Sequence, residues 1–233
     1  MRLLVSVIDA AEARLAVEGG VDIVDVKNPA EGALGAPSPF TIAQVRAEVP
    51  AALPVSAALG DLPHLPGTAA LAARGAARCG ADFVKVGLWG SSTPDEAVAL
   101  LRAAREALDG EGAVIAVAYA DAARVPSRPL PPPELVAAAR RAGVAGCLLD
   151  TAIKDGRGLL AWLAPGALAA LVDEAHAAGL EMALAGALRA EDLPAVRATG
   201  ADIAGVRSAV CRGGQRTAAL DPSRIAGLRE LCR

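Results

Sequence analysis

The stretch Asp22-Ile-Val-Asp-Val-Lys-Asn-Pro29 decides how this chain is read. Ile23, Val24 and Val26 form a β-branched run that favours a strand. Pro29 ends it, and a loop containing Gly32 and Gly35 follows. On a strand, Asp25 and Lys27 stand two residues apart and share one face. Opposite charges on an apolar strand are costly to bury unless paired or put to chemical use. A buried strand that ends in ionisable groups is therefore the unit to look for elsewhere.

That unit recurs along the chain. Strand patterns fall at residues 3–8, 23–26, 55–59, 83–87, 113–119, 146–149, 181–185 and 203–206. Helix patterns alternate with them at 10–18, 41–48, 68–79, 94–108, 134–142, 165–178, 190–198 and 222–231. Thr41 and Thr93 are the expected N-caps, and Pro94 suits a first turn. Glycines such as Gly80, Gly143 and Gly179 close helices. The Pro-rich segment 125–133 reads as a loop. Eight βα units predict an α/β protein, a single (β/α)8 TIM barrel domain spanning 1–233. An open doubly wound sheet is the competing architecture. It does not need eight units, and no GxGxxG follows the first strand.

Composition narrows the function classes. Apolar residues make up 54% of the chain and aromatic ones only 2%, so the core is built from Ala, Val, Leu and Ile. A net charge of −3 argues against nucleic-acid binding. No stretch has the uninterrupted apolarity of a membrane helix, and no membrane partner is expected. Cys79, Cys147, Cys211 and Cys232 are scattered without a CxxC motif, so reduced thiols in a cytoplasmic protein are expected. The only histidines, His64 and His176, sit in a loop and within a helix, so no metal site is expected, and no other cofactor. Self-association is expected, with Trp89 and the Pro-rich loop as a candidate interface or lid.

Of the 23 basic residues, 20 are Arg and three are Lys27, Lys85 and Lys154. Where any positive charge would serve, this chain uses Arg. An amine can lose its proton and form a Schiff base; a guanidinium cannot. All three lysines fall beside strand ends, which in a barrel converge on the catalytic face. Asp9, Asp25, Asp121 and Asp150 finish strands there too. For Asp9 and Asp121, helix capping or loop hydrogen bonding is at least as good a reading as catalysis. Asp155-Gly156 is turn chemistry. A buried lysine beside other cations has a lowered pKa and becomes a nucleophile, and nearby aspartates can move protons. This is the equipment of a Schiff-base aldolase-type enzyme. Gly186, Gly205, Arg207, Gly213 and Gly214 follow the last two strands, where barrels commonly hold a phosphate. Two other readings stay open: a phosphosugar isomerase, and a phosphometabolite-binding protein without catalysis.

Several stretches resemble (5-formylfuran-3-yl)methyl phosphate synthases, which form a furan in methanofuran-type cofactor biosynthesis. They are Leu3-Leu-Val-Ser6, Asp25-Val-Lys-Asn-Pro-Ala-Glu-Gly32-Ala-Leu-Gly35, Val84-Lys-Val-Gly-Leu88, Ala118-Tyr-Ala-Asp121, Leu148-Leu-Asp-Thr-Ala-Ile-Lys-Asp155, Leu184-Ala-Gly-Ala-Leu188 and Gly205-Val-Arg207. The resemblance implies a barrel, and a lyase that joins two molecules of glyceraldehyde 3-phosphate with loss of phosphate and water. It implies that Lys27 forms the Schiff base, and that Asp25, Lys85 (proton transfer), Asp150 and Lys154 share its active site.

Overall fold

The computed structural model describes residues 1–233. Eight parallel strands close into a barrel in sequence order. They are β1 (Arg2–Val7), β2 (Ile23–Val26), β3 (Val55–Pro63), β4 (Phe83–Gly90), β5 (Ala113–Tyr119), β6 (Gly146–Asp150), β7 (Glu181–Leu184) and β8 (Ile203–Val206). Closure comes from β1 against β8, with Arg2 level with Ile203 and Val5 level with Val206. Helices α1 (Ala10–Glu18), α2 (Pro39–Glu48), α3 (Pro66–Arg78), α4 (Pro94–Leu108), α5 (Leu135–Ala142), α6 (Pro165–Ala177), α7 (Leu193–Ala198) and α8 (Pro222–Cys232) follow the strands in turn. The open doubly wound alternative is thereby excluded.

Two apolar regions follow from the two faces of each strand. Outward residues such as Val5, Val24, Val84 and Leu149 pack with the small Ala-rich faces of the helices. Inward residues such as Leu4, Ile23, Val117, Leu148 and Ile203 fill the lower barrel. Higher up the same inward positions turn polar, at Ser6, Asp25, Ser56, Lys85 and Asp150, all buried. That change of chemistry along the barrel axis creates the site.

Element edges differ from expectation where local chemistry is particular. Helix α2 begins at Pro39, and Ser38 rather than Thr41 is its cap, accepting from the Thr41 N–H. The third strand runs on to Pro63 through register shifts on either side of Asp61. Gly60, at φ +107°, permits that irregularity. The seventh helix splits into a 3₁₀ turn at Ala190–Asp192 and α7, because Pro194 has no N–H to continue an earlier α-helix. The Pro-rich segment holds one 3₁₀ turn, Pro132–Glu134. No helix is long and apolar enough to cross a membrane.

Candidate active site

The site starts from a carboxylate. Asp25 on β2 is level with Ser6 on β1 and with Ser56 on β3. Register alone brings both hydroxyls to it: Ser6 Oγ donates at 2.9 Å and Ser56 Oγ at 2.5 Å. Lys85 on β4 reaches across and donates from Nζ at 2.7 Å. Asp25 is fully buried, and burial opposes its charge. The charges of Lys85 and Lys27, with hydrogen bonds from Lys85 and Ser56, outweigh that and hold its pKa below the usual carboxylate value.

A second carboxylate–lysine pair stands at the end of β6. Lys154 Nζ donates to Asp150 Oδ1 at 2.7 Å and to Thr151 Oγ1 at 3.1 Å. Burial again disfavours the carboxylate, but Lys154, Lys27 and two hydrogen bonds bring Asp150 down to about 2. The loop bearing Lys154 is fixed by Asp121, which accepts from the N–H groups of Ala152 at 2.6 Å and Ile153 at 2.9 Å.

Lys27 lies between the two pairs. Lys85 and Lys154 each have a carboxylate partner, whereas Lys27 forms no ion pair. Only 8% of Lys27 is exposed. Burial is the main cause that lowers its pKa to about 8; the charges of Lys85 and Lys154 act the same way, against Asp150 and Asp25. An amine with that pKa is neutral in about a tenth of molecules at neutral pH, compared with well under a hundredth for an ordinary lysine.

The five residues share one cavity of about 240 Å³ at the C-terminal mouth of the barrel. Its far wall comes from the loops after β7 and β8. Gly186, at φ +106°, lies there, and an added Cβ would come within 3.0 Å of Thr151. Its neighbour Ala187 also has positive φ, at 48°, an uncommon state for a residue with a side chain. Gly205, Arg207, Ser208 and Gly214 also line the cavity, whereas Gly213 does not.

Arg207 is on the wall, but its donors are already engaged. Nη1 donates to Ser6 O at 2.9 Å and Glu12 Oε2 at 2.8 Å, Nη2 to Glu12 Oε1 at 3.2 Å, and Nε to Arg216 O at 2.6 Å. Four of its five N–H groups are thus committed to the protein. Arg216, absent from the expectation, lines the cavity instead.

The sequence reading also missed Ser6, Ser56 and Glu12. The serines were visible as small hydroxyls inside apolar strands, where burial demands a partner. Glu12 stood in the first turn of a helix, where an acid usually serves the helix dipole. Asp9 caps α1, accepting from the Glu12 N–H at 2.8 Å. Trp89 packs edge-on against Tyr119, with ring centroids 5.6 Å apart. His64 and His176 are outside the cavity, and His176 meets Asp202 at 2.9 Å.

Solved structures with the same fold include a 3-hexulose-6-phosphate synthase, at TM-score 0.67 and 23% identity over all of both chains. A phosphoribosyl anthranilate isomerase from Thermus thermophilus superposes at TM-score 0.57 with 16% identity, over 99% of this chain and 98% of that one. At such identities the likeness shows the barrel alone. The sequence relatives say more. The (5-formylfuran-3-yl)methyl phosphate synthase of Methanocaldococcus jannaschii is 47% identical over the whole of both chains. That of Methanopyrus kandleri is 49% identical over 92% of this chain and 91% of its own. A putative one from Streptomyces griseus is 48% identical over 90% of this chain and 84% of its own. The sequence model of 4-HFC-P synthase matches residues 3–229. With nearly its whole length matched, this chain belongs to the 4-HFC-P synthase family and is a lyase.

Proposed function

We propose that the protein condenses two molecules of glyceraldehyde 3-phosphate into (5-formylfuran-3-yl)methyl phosphate through a Schiff base on Lys27. The observation that carries this is the contrast among the three lysines. Lys85 and Lys154 are each ion-paired, while Lys27 is buried, unpaired and lowered to about 8.

Neutral Lys27 Nζ attacks the aldehyde of one triose. The carbinolamine loses water to give an iminium, whose charge Asp150 and Asp25 stabilise. A base removes the proton from the adjacent carbon; Lys85 with Asp25 is the pair for this transfer. The enaminol expels phosphate from its C3, and the C3 of the enol left behind adds to the C2 carbonyl of the second triose, which the same base has isomerised to its ketose form. The C1 hydroxyl of that ketose closes the ring on C2 of the bound triose and two waters leave, with Asp150 and Lys154 handling protons at the other side of the cavity. Hydrolysis of the imine returns the amine. The glycine-lined wall at Gly186, Gly205 and Gly214 is the proposed seat of a substrate phosphate, beside Arg207.

The product is proposed to enter methanofuran-type cofactor synthesis in the cytoplasm, where four free cysteines stay reduced. Self-association is part of the same reading. Phe40 and Leu71, 70% and 78% exposed, are large apolar side chains on neighbouring helices α2 and α3. Sedimentation of the purified chain checks that point, and a monomer at all concentrations rejects it.

Incubation with glyceraldehyde 3-phosphate alone tests the reaction. The expected product absorbs as a conjugated furan aldehyde and has the mass of two triose phosphates less one phosphoric acid and two waters. Recovery of unchanged triose, or of its ketose isomer only, rejects the proposal.

A further inference from the structure

Five cationic side chains line the cavity: Lys27, Lys85, Lys154, Arg207 and Arg216. Lys85, Lys154 and Arg207 each have a carboxylate partner within 2.8 Å. Lys27 is the amine proposed to react. Arg216 is left: it forms no ion pair, and its one hydrogen bond is a long contact of 3.4 Å from Nη2 to Gly32 O. It is half-buried, where an uncompensated guanidinium charge favours an anion. The planar fork of donors suits a phosphate ester.

The backbone beneath Arg216 is held in an unusual way. Arg207 Nε donates to the Arg216 carbonyl at 2.6 Å. Arg207 is itself locked by Glu12, and Glu12 also accepts from the Ile8 N–H at 2.9 Å. A buried ion pair adds little stability by itself. This one joins the end of β1, the start of α1 and the loop after β8, so it fixes where Arg216 stands relative to the mouth.

We propose that Arg216 is the cation that binds the substrate's phosphate ester, and that Glu12 and Arg207 are positioning residues that fix it over the cavity. The inference rests on the reading that the substrate is a phosphorylated triose. It assigns the anion contact to the arginine with a single long hydrogen bond and removes it from the one with four donors engaged.

Calorimetric titration with glycerol 3-phosphate tests this, since that probe keeps the phosphate ester and has no aldehyde to form an imine. The wild-type protein binds it. Arg216→Ala weakens binding about ten- to hundredfold, the range for one charge-assisted interaction, and Arg216→Lys recovers part of the loss. Unchanged binding in Arg216→Ala overturns the inference, as does failure of the wild type to bind. Glu12→Gln tests the positioning role: KM for glyceraldehyde 3-phosphate rises about fivefold or more while kcat moves less. A fall in kcat with KM unchanged rejects that role. Borohydride trapping of phosphate-free glyceraldehyde on wild-type Lys27 is read separately. No trapping, with glycerol 3-phosphate still bound, overturns the Schiff-base reading and leaves Arg216 in place.

Discussion

Lys27 is set apart from Lys85 and Lys154 by having no carboxylate to hold its proton. Its pKa of about 8 comes mainly from burial, with two neighbouring ammonium groups acting in the same direction. Only the neutral amine attacks a carbonyl, so kcat/KM should rise with pH through an apparent pKa near 8. A profile flat from pH 7 to 9, by about a factor of two, contradicts this assignment. Lys27→Arg keeps the charge and loses the chemistry, because a guanidinium does not deprotonate in this range. Turnover is expected to fall at least about a thousandfold; near-normal turnover rejects the imine.

At the scale of elements, the site is a consequence of register. Asp25 finds Ser6 and Ser56 because parallel β1, β2 and β3 bring those residues level and turn them inward. Ser56→Ala removes the donor to Asp25 Oδ1 and leaves a buried carboxylate oxygen short of a partner. The expected cost is about 1–3 kcal/mol, read as a lower urea midpoint at constant slope. No loss of stability contradicts the role given to that bond. The alternation of strands and helices was legible in the sequence because each strand ends in a turn or a charge, and each helix has its cap or glycine. That Asp25, Lys27, Lys85, Asp150 and Lys154 would meet in one cavity was legible because lysine is scarce and all five residues sit at or beside strand ends. The Glu12–Arg207 pair was not, since its partners are 195 residues apart and meet only when β8 closes on β1. Nor was the extension of β3 to Pro63, which depends on Asp61 accepting from Tyr119 Oη at 2.5 Å and from the Ala33 N–H at 2.9 Å.

For the whole molecule, the buried Lys27 is a cost that the barrel carries. Lys27 has a folded-state pKa of about 8 against an ordinary 10.5, so the unfolded chain binds its proton more tightly. The resulting destabilisation is full below pH 8 and disappears as the pH rises through 10.5. Lys27→Met should therefore stabilise the protein at pH 7 by about 3 kcal/mol, with the gain shrinking toward pH 10.5. Equal stability of the two proteins at pH 7 contradicts it. Asp150 acts in the opposite sense. Its pKa of about 2 lies below the ordinary 3.8, so it adds stability above pH 3.8 that is lost as pH falls through 2. Asp150→Asn should lower neutral-pH stability by about 2 kcal/mol, a difference that narrows in acid. The imine on Lys27 is tested most directly by borohydride reduction in the presence of glyceraldehyde 3-phosphate, followed by peptide mass analysis. One added triose-derived mass is expected, on the peptide carrying Lys27, with a trapping rate that rises through pH 8. A label on Lys85 or Lys154, or no label while product still forms, would contradict it.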